Sequence, residues 1–428
     1  MKKLVITLFV LGFAVTAFAQ EVKKDLPLTV GASGIAYSTS YKAVDKDAEG
    51  DYTAFRVRPL FTFTNGDFEA VVKLEYDATF GVETDSDGKD AENVGYGADK
   101  KGLEVANAYV KTKVDAVAGL TLLGGIAYYD FPLVYGDNTP LASVNYSNDM
   151  MNLGLYYAKP SEGDNNNAKD DSQIYIADLA VKFGESTIRP AFFAYQCKEA
   201  AVVGQYKDSI GYIGALALNL AVGTFGIDAS GAYVSGENKV TETDYSAFAF
   251  DVAPYIKLDP FKVTAFFTYV SGDDGSKADE DNSFLNATLD GGSAGVNSYR
   301  LYIIEDAGSF TTNSDVANAG KYGNTFGYIA YGLSVDGTFG PITCKLIGAY
   351  VQAAEAPSGV KSDMGIEVDA NIGYALTKSS TLFVEGAYLK TGKFYESVAF
   401  DPTTGAIPNA SGKKQNAQYL SLGVSYSL

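Results

Sequence analysis

The chain has 428 residues, 33 basic and 52 acidic, for a formal net charge of −19, and it contains no histidine and no tryptophan. Without histidine there can be no Ser-His or Cys-His nucleophile, no His-ligated zinc or haem and no imidazole proton shuttle, so neither enzymatic activity nor a cofactor or metal is expected. The acidic surplus repels polynucleotide phosphates, and no nucleic-acid partner is expected.

The first residues read as an export signal. Lys2 and Lys3 precede the apolar run Leu4 to Val15, and Ala17-Phe18-Ala19 supplies the small residues a signal peptidase requires. Cleavage after Ala19 would leave Gln20 as the new N-terminus of a single domain, 20–428, with 31 basic against 52 acidic residues, a charge of −21. The run is short for a transmembrane helix of roughly 20 residues, and no cysteine follows that could carry a lipid anchor. Cys197 and Cys344 could pair, but each sits in an alternating segment where a small apolar residue is the commoner role.

From Leu26 onward one texture persists, segments of about ten residues in which apolar and polar side chains alternate. Phe55, Val57, Pro59, Phe61 and Phe63 share one face, and Arg56, Arg58, Leu60, Thr62 and Thr64 the other. After the turn Asn65-Gly66-Asp67, Ala70, Val72, Leu74, Tyr76 and Phe80 oppose Glu69, Lys73, Glu75 and Asp77. Ile366, Val368, Ala370, Ile372 and Tyr374 likewise oppose Glu367, Asp369 and Asn371.

A soluble sandwich would show the same local pattern. Two features favour a transmembrane barrel. Tight turns at Asn65-Gly66-Asp67, Asn148-Asp149, Gly184-Glu185, Asp259-Pro260 and Thr377-Lys378-Ser379 interleave with longer polar loops. The final segment also places Leu420, Leu422, Val424, Tyr426 and Leu428 on one face, which in a membrane can only meet lipid.

That terminal strand resembles the signal by which bacterial outer-membrane barrels are recognised by the barrel-assembly machinery. Leu428 departs from the usual aromatic terminus. The pattern of the whole chain after the leader resembles the general porins, without a residue-for-residue match. The resemblance implies an all-β antiparallel up-and-down barrel with short periplasmic turns, long outer loops and both termini on the periplasmic side. It implies an outer-membrane location in a Gram-negative-type bacterium, with lipid and lipopolysaccharide as surroundings. Homotrimers are what general porins imply, while monomers are equally compatible with 18 strands.

We read strands near 27–41, 52–64, 68–81, 103–114, 120–131, 141–147, 151–159, 172–183, 187–197, 206–220, 224–235, 244–258, 261–271, 324–336, 342–353, 363–376, 381–391 and 417–428. The count is 18. If 132–171 is instead one insertion, the count is 16 and that insertion is the third outer loop, the one that folds inward in general porins. The loop near 272–323 carries the apolar stretch "NSYRLYIIEDAGSF", which could cover the mouth, plug the barrel or bind a neighbour.

In a barrel this wide, water enters and the polar faces line a passage. Arg56 and Arg58 stand out because the chain has only four arginines. In general porins a basic ladder faces acidic groups across the pore, so these two, with Lys73, Lys111 and Lys113, are candidate basic lining. Glu69, Glu75, Asp77, Glu367 and Asp369 are candidate acidic lining. The overall acidity suggests a preference for cations, although much of it lies in outer loops. Asp85 to Asp90 has the look of a calcium loop, but the twelfth position from Asp85 is Tyr96 rather than glutamate, so the EF-hand pattern fails. The expected function is passive diffusion of small hydrophilic solutes and ions. The alternatives are a substrate-selective channel of the same build and a non-conducting structural or adhesin barrel.

Overall fold

The computed structural model describes residues 27–44, 49–81, 103–160, 172–197, 209–277, 279–284, 300–305, 326–396, 398–401, 405–408 and 415–428. The leader, with Ala17, Ala19 and Gln20, and the loop Asp85 to Asp90 lie outside these residues.

Eighteen antiparallel strands close into a barrel. In chain order they are β1 (Leu28–Lys42), β2 (Glu49–Asn65), β3 (Phe68–Gly81), β4 (Leu103–Lys113), β5 (Leu120–Phe131), β6 (Tyr135–Ser147), β7 (Met151–Ala158), β8 (Gln173–Phe183) and β9 (Ser186–Cys197). They continue with β10 (Ser209–Val222), β11 (Phe225–Asn238), β12 (Thr243–Leu258), β13 (Phe261–Val270), β14 (Tyr328–Phe339), β15 (Ile342–Gln352), β16 (Asp363–Thr377), β17 (Ser380–Thr391) and β18 (Ala417–Ser427). Each strand pairs with its neighbours in sequence, and β1 pairs with β18 from Ser33↔Ser427 to Lys42↔Gln418. Closure satisfies every wall strand on both edges, the condition for a sheet in hydrocarbon. One short strand, Glu280–Asp281, runs parallel to β12 at the rim, and the hairpin Val398–Asp401/Gly405–Pro408 lies between β17 and β18.

The turns at one end are short for a local reason. Gly66, Gly184, Gly223 and Gly340 each open a two-residue connection with φ between +58° and +63°, a conformation glycine reaches without a steric cost. At the other end most connections are longer, reaching from β13 to β14 across residues 271–327.

The two faces of the wall separate cleanly. Outward residues are large and apolar: Phe61, Val72, Leu216, Phe248, Leu333, Ile372 and Leu422 are all exposed in the isolated chain. No helix among the described residues is long and apolar enough to cross a membrane, and the apolar belt lies on the strands. Inside, the half toward the long loops is filled. Tyr129, Phe131, Phe193 and Tyr195 from the wall pack with Leu133 and Val134 of the β5–β6 connection. Leu301, Tyr302 and Ile303, from the connection between β13 and β14, join the same cluster. The interior toward the short turns is polar.

Two expectations change. The strand expected at 141–147 begins at Tyr135, and Tyr135–Pro140 pairs with Phe131–Ile126. The connection it leaves is only residues 132–134, so no insertion occupies 132–171 and the 16-strand alternative falls away. Residues 300–305 of the β13–β14 connection fold inward, where Leu301 to Ile304 are buried. The cysteines are both free. Cys197 is buried at the end of β9, and Cys344 lies on β15, two residues from exposed Leu346 on the outward face.

Candidate functional site

The cross-strand register places Arg56 beside Asp77, and Arg58 beyond it along the same interior face of β2. Arg56 donates from Nε to Asp77 Oδ1 at 2.7 Å and from Nη2 to Asp77 Oδ2 at 2.6 Å. The same Nη2 lies 3.0 Å from Glu75 Oε1, and Arg58 Nε donates to the other Glu75 oxygen. Glu75 is buried. Two guanidinium forks thus hold two carboxylates on adjacent strands, a planar, charge-assisted geometry, and the four groups neutralise one another.

Lys73 follows on the same face of β3, and Lys111 of β4 lies opposite Glu69 on one side and Leu123 on the other. Neither lysine forms an ion pair within 4.0 Å among the described residues. Lys113 sits at the rim, where its Nζ lies 3.3 Å from Asp67 Oδ1, both side chains being exposed. Such a pair contributes little.

Glu367 and Asp369 lie on β16, four strands from β2 around the ring, and are fully buried. Their partner is the inward segment 300–305. The backbone N–H groups of Ile303 and Ile304 donate to Glu367 at 2.6 and 3.1 Å, and that of Tyr302 donates to Asp369 at 3.3 Å. The segment forms one turn, with Glu305 N–H donating to Leu301 carbonyl at 3.2 Å. Glu305 folds back to accept from the N–H groups of Arg300 and Leu301 at 2.6 and 2.9 Å, and from Tyr328 Oη at 2.7 Å. A single turn leaves its first N–H groups without intrahelical partners, and here wall carboxylates and Glu305 accept from all of them from Arg300 to Ile304. Arg300 adds an ion pair to Asp251 of β12 at 2.6 Å, with its guanidinium 5.3 Å from the Phe266 ring centroid. The Tyr302 ring stacks against Tyr419 of β18. The turn is a plug fastened to walls on two sides.

Burial pushes the Glu305 carboxyl above the ordinary glutamate range. The Leu301 N–H, the Tyr328 hydroxyl and the Arg300 N–H oppose that shift, and the Asp251 charge adds to it.

Several interior groups escaped the reading of the sequence. Arg189 of β9 donates from Nη2 to Asp178 Oδ2 of β8 at 2.6 Å, and its guanidinium lies 4.7 Å from the Phe131 ring centroid. Tyr129 Oη donates to the same carboxylate at 3.1 Å. Glu385 of β17 accepts from Asn371 Nδ2 at 2.9 Å and from Tyr419 Oη at 3.2 Å. All four arginines of the chain therefore bond to interior carboxylates, three from the wall and Arg300 from the inward turn. Arginine scarcity was the available signal, applied to only two of them. Leu420 and Leu422 on β18, and Leu428 just past its end, are exposed. Val424 and Tyr426 continue the same row, and the Tyr426 ring lies against Gly34 of β1.

No protein-family model matches the sequence, and no curated protein matches it. Solved structures do match. Acinetobacter baumannii OccAB1 aligns with a TM-score of 0.59 at 12% identity, over 96% of this chain and 99% of that one. Pseudomonas aeruginosa OccK2 (OpdF), solved in complex with glucuronate, aligns at 0.57 and 12% identity over 94% and 98%. Pseudomonas aeruginosa OccK5 (OpdH) aligns at 0.56 and 11% identity over 93% and 98%. By strand number, closure and these likenesses, the chain has the fold of bacterial outer-membrane porins.

Proposed function

We propose that the protein is an outer-membrane channel for passive diffusion of small hydrophilic solutes, with anionic solutes favoured inside it. The distribution of charge supports this reading more than the total does. The carboxylates Glu75, Asp77, Asp178 and Asp251 are matched by arginines, and Glu367, Asp369 and Glu385 accept hydrogen bonds. The interior lysines Lys73, Lys111, Lys257 and Lys345 form no ion pair among the described residues. Glu69 and Asp336 are the interior acids beside them in the register. The cation preference suggested by overall acidity rests on loop charges, which salt screens within about 8 Å. Passage requires no bond making and no cofactor.

Planar-bilayer recording of the purified protein under a KCl gradient tests both parts. Steady conductance is expected, with a reversal potential on the anion side. A correctly folded but silent barrel would support the non-conducting alternative, and a cation-side potential would restore the reading from total charge. The substrate-selective form of the channel is favoured by the plug, which narrows the passage at a point surrounded by fixed hydrogen-bonding groups. The glucuronate bound by OccK2 is consistent with an anionic solute. N-terminal sequencing of protein from the membrane tests cleavage between Ala19 and Gln20. Recognition of the β18 row Leu420, Leu422, Val424, Tyr426 and Leu428 by assembly machinery belongs to the same reading.

A further inference from the structure

The upper ends of β5 and β6, those toward the long connections, part from the wall. β4 and β5 share a ladder only from Lys113↔Thr121 to Ala108↔Ile126. Above it Leu103–Asn107 and Ala127–Phe131 run on as strands without pairing with each other. Two local features end the ladder there. β4 carries a bulge at Ala106, where Lys73↔Asn107 is followed by Leu74↔Val105, and one extra residue reverses the faces of the strand above it. On β5, Gly125 has a φ of +135°, and a Cβ there would lie 2.2 Å from the Ala108 carbonyl oxygen, so this bend needs glycine.

The freed hairpin leans into the barrel. β5 and β9 stand four strands apart in the wall, roughly 19 Å at the usual strand spacing. Yet the rings of Tyr129 and Phe131 on β5 have centroids 6.3 and 5.8 Å from that of Phe193 on β9. Phe131, Leu133, Val134 and Tyr135 at the tip are wholly buried.

One ion pair holds three consecutive residues of this hairpin. Arg189 donates from Nε and Nη2 to Asp178 at 3.0 and 2.6 Å. The same Nη2 donates to the Asp130 carbonyl at 2.8 Å, and the guanidinium lies 4.7 Å from the Phe131 ring centroid. Asp178 in turn accepts from Tyr129 Oη at 3.1 Å. On the other strand of the hairpin, Asn138 Oδ1 accepts from Asn107 Nδ2 at 2.6 Å, a tie back to β4. Arg56 and Arg58 bond to carboxylates of the next strand. Arg189 also grips the backbone of a separate element, which a residue placed for its charge alone would not need.

We propose that Arg189 and Asp178 are the latch of this hairpin, positioning residues that set how far it reaches across the passage, with Gly125 as its hinge. The inference rests on the channel reading above and adds a second narrowing to the plug at 300–305.

Arg189→Lys separates latch from charge. It keeps the positive charge and loses the fork that reaches Asp178 and the Asp130 carbonyl together. Hydrogen exchange of the folded protein in detergent micelles, read by mass spectrometry, should run about tenfold faster over 127–140, the effect of losing one hydrogen bond to a charged group. Planar-bilayer recording should show more frequent high-conductance events at an unchanged reversal potential, and liposome swelling should admit larger sugars. Heat-dependent gel migration confirms that the variant is folded. If it is not, Asp178→Asn, which keeps the shape of the side chain and removes the charged acceptor, makes the exchange and swelling tests. A shifted reversal potential with unchanged exchange would make Arg189 a lumen charge and overturn the latch, as would no change in any reading. In a conducting channel, faster exchange with the same sugar cut-off would mean that the hairpin does not narrow the passage, which also overturns it. A silent barrel whose hairpin exchange still depends on Arg189 overturns the channel reading and leaves the latch.

Discussion

Replacing Glu367 by alanine removes the acceptor for two buried backbone donors, the N–H groups of Ile303 and Ile304 at 2.6 and 3.1 Å. Each buried donor left without a partner costs about 1–3 kcal/mol, so the inward state of the plug loses roughly 2–6 kcal/mol. Even the lower figure multiplies the displaced population about thirtyfold. The anchors that remain are Arg300 to Asp251, Tyr302 to Asp369 and Glu305 to Tyr328. The displaced turn finds water for its N–H groups outside the barrel but not within the apolar cluster, so displacement widens the passage. Single-channel recording should show larger or more frequent high-conductance states, and liposome swelling should admit larger sugars. Glu367→Gln is the necessary comparison. It removes the same charge but keeps one carbonyl acceptor, so its effect on sugar size should be smaller. If both variants change conductance equally and neither changes the size cut-off, the plug does not set the passage and the argument fails.

Three further outcomes follow from the same geometry. Because burial raises the Glu305 carboxyl, its contribution to the inward turn is fully present below the ordinary glutamate value and is lost as pH rises through its raised value. Conductance should therefore fall on acidification across that window, and Glu305→Gln should flatten the response; Arg300, Asp251, Glu367 and Asp369 are the other ionisable groups against this turn. Leu422→Arg puts a charge on the lipid face of β18, at a cost of about 2–4 kcal/mol if the site lies at the bilayer midplane; equilibrium urea unfolding in vesicles reads this, and an unchanged midpoint would mean that this face does not meet hydrocarbon. Arg58→Gln leaves buried Glu75 with Arg56 as its remaining partner, so the reversal potential should move toward cations; no movement would place this array outside the ion path.

Much of the wall was legible because a barrel strand is a local signal. In 366–374 each outward residue is apolar and each of Glu367, Asp369 and Asn371 points in, and no tertiary information is needed to read it. The start of β6 was not legible for a related reason. Gly136, Asp137, Asn138 and Pro140 have the composition of a loop, yet they pair with β5 because a polar lumen tolerates polar residues in a strand and the pairing is set by Phe131 and Tyr135. The plug was beyond local reading. The stretch Arg300 to Glu305 has no strand alternation, and its fold depends on carboxylates more than 60 positions away. Arg189 and Asp178 escaped because each is an ordinary lumen residue on its own strand and becomes a pair only when β8 and β9 are laid side by side.

The seam between β1 and β18 has a consequence for how the molecule comes into being. Thr39 and Ser421 touch at 2.6 Å across 382 positions of chain, and until that contact forms two strands present bare hydrogen-bonding edges. Every partly built wall is consequently a template for the wrong neighbour, and the long wait for a distant mate makes ring closure the slow and hazardous moment of biogenesis.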